Sequence, residues 1–392
     1  MHLKIFSSLF VFCALSTSVY ANTNILSKTQ NNILDLTTKK ANEDVSKLSK
    51  DWIDQGAISY TYSYSKTDNS NLPSSRMSIL SINQSIFRSG GIYYAIKYAS
   101  NVNEDSKLSL KVQKQNLIIQ TLNTVYNIKK LDLQIQKQKL SLKNAQIDYE
   151  TKKESVFNGL LDMSFLNNAM LVKNQLKISL LDLEFAKKNS INNLSTLSDL
   201  SYDKIPLPKL NLIQKDNFEK ENINIQKANI NIKKQKSLSG LSNAQYLPKI
   251  VANASKTINH TMDTDSYKYG FNVIIPIDFK TSNALQSNKI AVLQEKENKK
   301  LIKQKEEIFF ASKELEINTI SKKIALTKQN IKAYNELLSQ IKEQYNAGLK
   351  TKNDVDVLNN SKQSEELSVK IYEIDKQLKL LELYNRINND KI

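Results

Sequence analysis

Apolar residues along this chain follow two periods, and the switches between them divide the sequence into elements. From Tyr93 to about Glu154, and again from Asn283 to about Asn346, there is no glycine or proline. Within these runs apolar positions recur at three- and four-residue spacing, the signature of a helix with one buried stripe. Ile317, Ile320, Ile324, Thr327, Ile331, Tyr334, Leu338, Ile341 and Tyr345 keep this spacing without a break, as do Leu367, Ile371, Ile374, Leu378 and Leu381 on a returning helix. Ile118, Leu122, Val125, Ile128, Leu131 and Ile135 approximate the same stripe in the first half. Runs of about 60 residues predict helices about 90 Å long at 1.5 Å per residue. Neither run is apolar enough to enter lipid, so both must pack against other helices along their length.

Between the helices the period falls to two. Ala57 to Ser65 alternates strictly, with Ile58, Tyr60, Tyr62 and Tyr64 on one face and small or hydroxylated residues on the other. A turn-rich stretch from Lys66 to Ser75 leads to a second strand over about 77–87. Leu247-Pro248-Lys249-Ile250 opens another strand running to about Thr261, and Tyr267, Tyr269, Phe271, Val273, Ile275 and Ile277 face one way along a fourth. Alternation of aromatic and branched residues with small polar ones fits a membrane barrel with a wet interior. A half-buried soluble sheet shows the same alternation.

These elements occur twice. Only seven glycines and five prolines punctuate the chain, and Gly159 and Gly348, 189 residues apart (348 − 159), each sit in a predicted helix reversal. The segments ending Gln84-Ser-Ile-Phe-Arg-Ser-Gly-Gly91 and Ile275-Pro-Ile-Asp-Phe-Lys-Thr-Ser282 match at an interval of about 190 residues. The predicted organisation is therefore a signal segment over 1–21 and two repeats, 22–205 and 206–392. The first holds an N-terminal helix, strands at about 57–66 and 77–87, and a helical hairpin at about 92–198 with its tip at 157–165. The second holds a linking helix at about 217–239, strands at about 247–261 and 267–277, and a hairpin at about 283–388 with its tip at 345–354. Ser198 to Leu212, with Pro206 and Pro208, forms the joint.

Charge and composition narrow the function. Lys4, the apolar Ile5 to Leu15 and Val19-Tyr20-Ala21 read as a secretory signal, too short to span a bilayer, which takes about 20 residues. The single cysteine, Cys13, lies inside it. The exported chain would thus rely on packing or assembly, not disulfides. A net charge of +17 invites a nucleic-acid reading, but only Arg76, Arg88 and Arg386 of the 56 basic residues are arginine. The lysines alternate with apolar residues as solvated helix faces do, which argues against a nucleic-acid partner. No catalytic constellation, metal-ligand motif or cofactor loop is present, and His260 is the one histidine after the signal.

Four strands lying in a membrane would leave two open edges, each with about five unpaired backbone groups costing several kcal/mol apiece in hydrocarbon. That sum exceeds the usual net stability of a domain, about 5–15 kcal/mol. Several copies closing on one another remove the edges, and three copies would give twelve strands continuing into twelve helices.

The paired strands, the long helical hairpins, Gln84 to Gly91, Leu247-Pro-Lys-Ile250, Ile275-Pro-Ile277 and the two glycine-centred reversals together resemble the TolC-like outer-membrane efflux proteins, over essentially the whole exported chain. The resemblance implies an α+β membrane protein: a homotrimer with a twelve-strand β-barrel in outer-membrane lipid, four strands per chain, continuing into a coiled-coil α-helical tunnel in the periplasm. It further implies a periplasmic adaptor (membrane fusion) protein and an inner-membrane pump of RND or ABC type as partners, serving efflux or type I secretion. Two departures stand out: the first strand lacks a leading proline, and the second strand pair lacks the glycine pair at its helix junction. A trimeric coiled-coil envelope protein, structural or adhesive and without a conducting lumen, accounts for the signal and the heptads. It leaves the repeated aromatic strand pairs unexplained.

By the same resemblance, function concentrates at the reversals. A tyrosine, a basic and an acidic residue that hold the family's entrance closed match Tyr345, Lys350 and Asp354; where the family can place an aspartate in the first hairpin this chain has Phe165, with Asp162 nearby as a substitute. Asp354 is expected to form an acidic ring at the narrowest point. Adaptor docking would use Gly159, Leu160 and Ser164 with Gly348, Leu349 and Thr351. Tyr60, Tyr62, Tyr64, Tyr267, Tyr269 and Phe271 are the expected lipid-facing side chains.

Overall fold

A computed structural model describes residues 25–388 apart from 65, 68, 69, 72 and 73. The expected signal segment, Cys13 and the last four residues lie outside the described residues. Among those described, the chain is mostly helical with one four-stranded antiparallel sheet. No described helix is long and apolar enough to cross a membrane.

In chain order the elements are α1 (Lys28–Ser49), β1 (Gly56–Ser63), β2 (Lys66–Thr67), β3 (Ser70–Asn71), β4 (Ser75–Phe87), α2 (Gly91–Phe157), α3 (Met163–Ser195), α4 (Lys215–Glu221), α5 (Ile223–Asn243), β5 (Lys249–Asn259), β6 (Thr264–Ile274), α6 (Thr281–Asn346) and α7 (Lys352–Tyr384). At 67 and 66 residues, α2 and α6 each run about 100 Å at 1.5 Å per residue. Sheet order is β1-β4-β5-β6, antiparallel throughout, with β2 and β3 forming a small separate hairpin. The fourth strand begins earlier than the sequence pattern suggests and ends at Ile274, paired with Lys249. Pro276, just beyond, has no N–H to extend the ladder.

Helices form one layer that continues from the sheet. Below the sheet α5 packs between α2 and α6, and α1 lies on α2; farther down α7 takes the place of α5 and α3 lies on α2. The layer therefore has two free edges, α1 followed by α3 on one side and α6 on the other. Its core sits near mid-length, where Leu122, Val125 and Ile128 of α2 meet Phe310 and Ile317 of α6, Leu380, Leu381 and Leu383 of α7, and Phe218 of α4. Each such buried side chain contributes about 1.5–3 kcal/mol. Phe218 and Phe310 meet at a tilt of 44° with ring centroids 5.0 Å apart.

The joint between the halves is pinned onto this core. Ile205 and Leu210 are buried, the Tyr126 hydroxyl donates to the Pro208 carbonyl at 2.6 Å, and Leu210 N–H donates to Gln377 Oε1 at 2.8 Å. The single linking helix expected over 217–239 is instead two, α4 and α5, broken at Asn222. There the backbone turns extended (φ −64°, ψ 120°), bridges to Ile387, and the side chain caps α5 by accepting from Ile225 N–H at 3.0 Å. Asn222 can cap because its short amide competes with the helix for backbone hydrogen bonds.

Candidate functional site

Two regions carry the expected functional residues: the faces of the sheet and the helix tips. Strand register places the sheet residues in rows. Ile58 pairs with Leu80, Leu80 with Lys256, and Lys256 with Tyr267; the next rows run Ile82–Ala254–Tyr269 and Ala252–Phe271. Directly paired residues share a face, and successive residues alternate, so Tyr60, Tyr62, Tyr267, Tyr269 and Phe271 stand on one face with Ile58, Leu80 and Ile82. The opposite face reads Ala57–Ser81–Ser255–Lys268, Ser59–Ile79–Thr257–Ser266 and Asn83–Asn253–Gly270. One face is dominated by aromatic and aliphatic side chains, with Arg76, Gln84 and Lys256 among them; the other is mainly hydroxyl and amide, with Ile79 and Lys268 among them. Tyr64 follows just past β1 and is exposed.

Neither face is covered within one chain. Every residue of β1 and β6 is exposed, Tyr269 to 86%. Isolated apolar residues on a surface are ordinary, but a contiguous aromatic face is not. At the sheet-to-helix junction Ile275, Ile277 and Phe279 extend the exposed apolar surface, Phe279 reaching 99%. The junction lacking a glycine pair turns through Asp278, whose carboxylate accepts from Lys280 N–H at 2.8 Å and whose carbonyl accepts from the Thr281 hydroxyl at 2.7 Å. At the other junction Asp54 ties the loop before β1 to the bulge in β4, accepting from Ser85 N–H at 2.7 Å and Arg88 Nη2 at 2.6 Å. These partners outweigh the opposing effect of burial and hold the Asp54 carboxyl below its ordinary value of 3.8.

At the far end the two reversals are built alike. Gly159 and Gly348 are left-handed, at φ 68° and 75°. Gly159 N–H donates to Val156 O and Gly348 N–H to Tyr345 O, both at 3.0 Å; Leu160 N–H donates to Ser155 O and Leu349 N–H to Gln344 O, both at 2.8 Å. This is the Schellman pattern, which consumes the last free carbonyls of a helix. Its next residues start the following helix. Asp162 caps α3, accepting from Ser164 N–H at 2.7 Å. Thr351 caps α7 in a reciprocal box with Asp354, whose Oδ2 accepts from Thr351 N–H and hydroxyl at 2.9 Å each.

Capping gives both carboxylates a local role besides the one expected of them at the entrance. Backbone donation from Ser164 and from Thr351 lowers the Asp162 and Asp354 pKa below 3.8, with Lys350 adding a smaller contribution at Asp354. Among the described residues no hydrogen bond or ion pair joins Tyr345 or Lys350 to either carboxylate. The structure thus gathers Tyr345, Lys350 and Asp354 at one tip and Asp162 at the other. Leu160 and Leu349 are each 75% exposed, and Phe157 78%. His260 lies at the opposite extreme, at the end of β5, 2.9 Å from the Ser78 hydroxyl.

This arrangement of sheet and long helices superposes on several solved outer-membrane proteins. The outer membrane protein VceC of Vibrio cholerae superposes with a TM-score of 0.71 at 15% identity, covering 93% of this chain and 94% of its own. The CmeC outer membrane channel of Campylobacter jejuni gives 0.70 at 12% identity, covering 94% of this chain and 85% of that one. The open state of the MtrE outer membrane channel of Neisseria gonorrhoeae gives 0.66 at 14% identity, with 91% and 86% covered. No family model matches this chain, and no curated protein does. The chain has the fold of the TolC-like outer-membrane channels, as the strand and reversal motifs of its sequence suggested.

Proposed function

We propose that this chain is one of three identical, internally duplicated subunits of an exit duct through the outer membrane and periplasm. In this reading the protein is a channel, not an enzyme. The aromatic face of the sheet meets lipid and the hydroxyl-amide face lines water. The tips Gly159, Leu160 and Ser164 with Gly348, Leu349 and Thr351 receive a periplasmic adaptor joined to an inner-membrane pump. Tyr345, Lys350, Asp354 and Asp162 hold the entrance closed. A partly exposed Lys–carboxylate pair contributes about 0–1 kcal/mol, so three copies would bias the entrance by at most a few kcal/mol, within reach of a binding partner.

The observation that carries this reading is that the free edges of sheet and helix layer match. The sheet ends in unpaired β1 and β6, and the helix layer ends in α3 and α6 on the corresponding sides. Both edge helices expose apolar residues at seven-residue intervals: Leu171, Ile178 and Phe185 on α3, and Leu301, Ile308 and Leu315 on α6. Heptad stripes of this kind bury themselves against a partner helix. Leu171 and Leu337 are both exposed and lie at nearly the same distance from their tips, 12 and 11 residues from Gly159 and Gly348. An edge that faces a different edge is a heterologous contact, and it closes into a ring when the rotation allows.

Closure is tested by pairing the edges covalently. Leu171→Cys with Leu337→Cys, in a chain whose only native cysteine is Cys13, should oxidise to a species of three chains on non-reducing gels, and neither single variant should. Failure to cross-link, or a ladder running beyond three, contradicts the arrangement.

A further inference from the structure

Between α2, α5 and α6 lies an open groove of about 1150 Å³, lined by seven lysines and one carboxylate. Lys107 and Lys111 come from α2, Lys233 from α5, and Lys296, Lys299, Lys300 and Lys303 from α6; the acid is Glu104. Elsewhere this chain couples lysines to acids one turn away, as in Lys313–Glu316 and Lys379–Glu382. Here pairing is incomplete. Lys233 is held by Glu104 at 2.9 Å, Lys300 by Glu297 at 2.8 Å and Lys303 by Glu219 at 3.3 Å. Lys107, Lys296 and Lys299 form no ion pair among the described residues, although like charges one turn apart repel.

Beneath the amines the groove is apolar, with Leu108, Ile230 and Ile232 in its wall, and the lysine stems add further hydrocarbon. Its lining residues fall within eight positions on α2, α5 and α6 alike (104–111, 226–233 and 296–303), about 10 Å from first to last along each axis at 1.5 Å per residue. That length suits one small molecule and accommodates only about three residues of an extended chain. The volume is near the about 300–1,000 Å³ of ordinary ligand pockets. A bare inorganic anion would leave the apolar wall wet, and a neutral apolar solute would leave the lysines uncompensated.

From this combination we infer that the groove binds a small soluble amphiphilic anion, its acidic group among Lys107, Lys296 and Lys299 and its apolar body against Leu108, Ile230 and Ile232. The binding stands on the groove alone; its service as a station for cargo in transit rests on the duct reading above.

The test uses full-length protein in nanodiscs of zwitterionic lipid, with anilinonaphthalene sulfonate as the fluorescent probe and empty nanodiscs subtracted. The expected result is saturable binding at one site per chain. It weakens about ten-fold or more in Lys296→Glu/Lys299→Glu and separately in Lys107→Glu, and on raising salt from about 0.05 to 0.5 M. Neutral phenylnaphthylamine, with the same apolar body and no charge, should bind weakly and respond to neither change. Binding that is absent, or indifferent to charge reversal and salt, overturns the site. Planar-bilayer conductance of the same preparation separates the two claims. A conducting protein without probe binding removes the groove and keeps the duct, whereas probe binding without conductance keeps the groove and removes the duct.

Discussion

Gly159 and Gly348 occupy the same left-handed bend at the ends of two different hairpins, and a side chain built at either would meet nothing within 4 Å. Any penalty for replacing them therefore comes from the backbone, not from crowding. Gly348→Val should cost about 1–2 kcal/mol of local stability, and Gly348→Asn distinctly less, because asparagine tolerates this conformation. Amide hydrogen exchange at the α6–α7 reversal reads the difference. Equal protection loss for both variants would point to a contact at this glycine that the single chain does not contain.

Asp354 is pulled two ways, by its cap and by the entrance role proposed for it. Its carboxyl pKa is lowered in the folded chain, first by the Thr351 backbone N–H and then by the Thr351 hydroxyl. A depressed carboxylate adds stability that is complete above its unfolded pKa and is lost as pH falls through the folded value. Protection of the first turn of α7 should thus differ between wild type and Asp354→Ala at neutral pH, and the difference should shrink as pH falls below 3.8 and through the lowered folded value. Lys350→Ala, which makes no hydrogen bond to the cap and adds only the smallest contribution at Asp354, should change that protection far less than Asp354→Ala yet raise single-channel conductance if the entrance is latched ionically. Unchanged conductance removes Lys350 from the latch.

Glu306 is a buried carboxylate shared by three parts of the chain. Asn222 and Asn224 donate to it at 2.9 and 2.6 Å, and Arg386 stands 3.2 Å away. Truncation to alanine leaves two amides without their acceptor, each costing about 1–3 kcal/mol; Arg386 is partly exposed and recovers water. A total loss of about 2–6 kcal/mol is expected, with a smaller loss for Glu306→Gln, measured by thermal unfolding. No loss would mean that the α4–α5 break is held by Asn222 alone.

Gly240 lets α5 approach Tyr94 of α2, since a Cβ there would lie 2.5 Å from the ring. Overpacking of this kind costs about 1–3 kcal/mol. Gly240→Ala should lower the melting temperature, and adding Tyr94→Ala should recover part of the loss, a coupling that independent sites would not show.

The elements legible in the sequence were those with a local signature. Tyr60 and Tyr62, Tyr267 and Tyr269 announced their strands through alternation, and Gly159 and Gly348 announced the reversals because few other residues accept that backbone. Hidden features needed partners distant in sequence. The break at Asn222 depends on Ile387 and Glu306, more than 80 residues away. The caps made by Asp162 and Asp354 have a local signature in the residues themselves, Asp-x-Ser and Thr-x-x-Asp. Leu171, Ile178 and Phe185 look like core on periodicity alone; only the packing of α3 reveals that nothing in the same chain covers them. The lysine groove has no motif, as three helices contribute to it.

Native mass and planar-bilayer conductance, measured together on the purified detergent-extracted protein, address the central claim most directly. The account predicts a mass of three chains, a small cation-selective conductance set by the Asp354 ring, and a larger conductance after Lys350→Ala. A stable three-chain species that never conducts, in wild type or any tip variant, would contradict it and leave a coiled-coil envelope protein without a lumen.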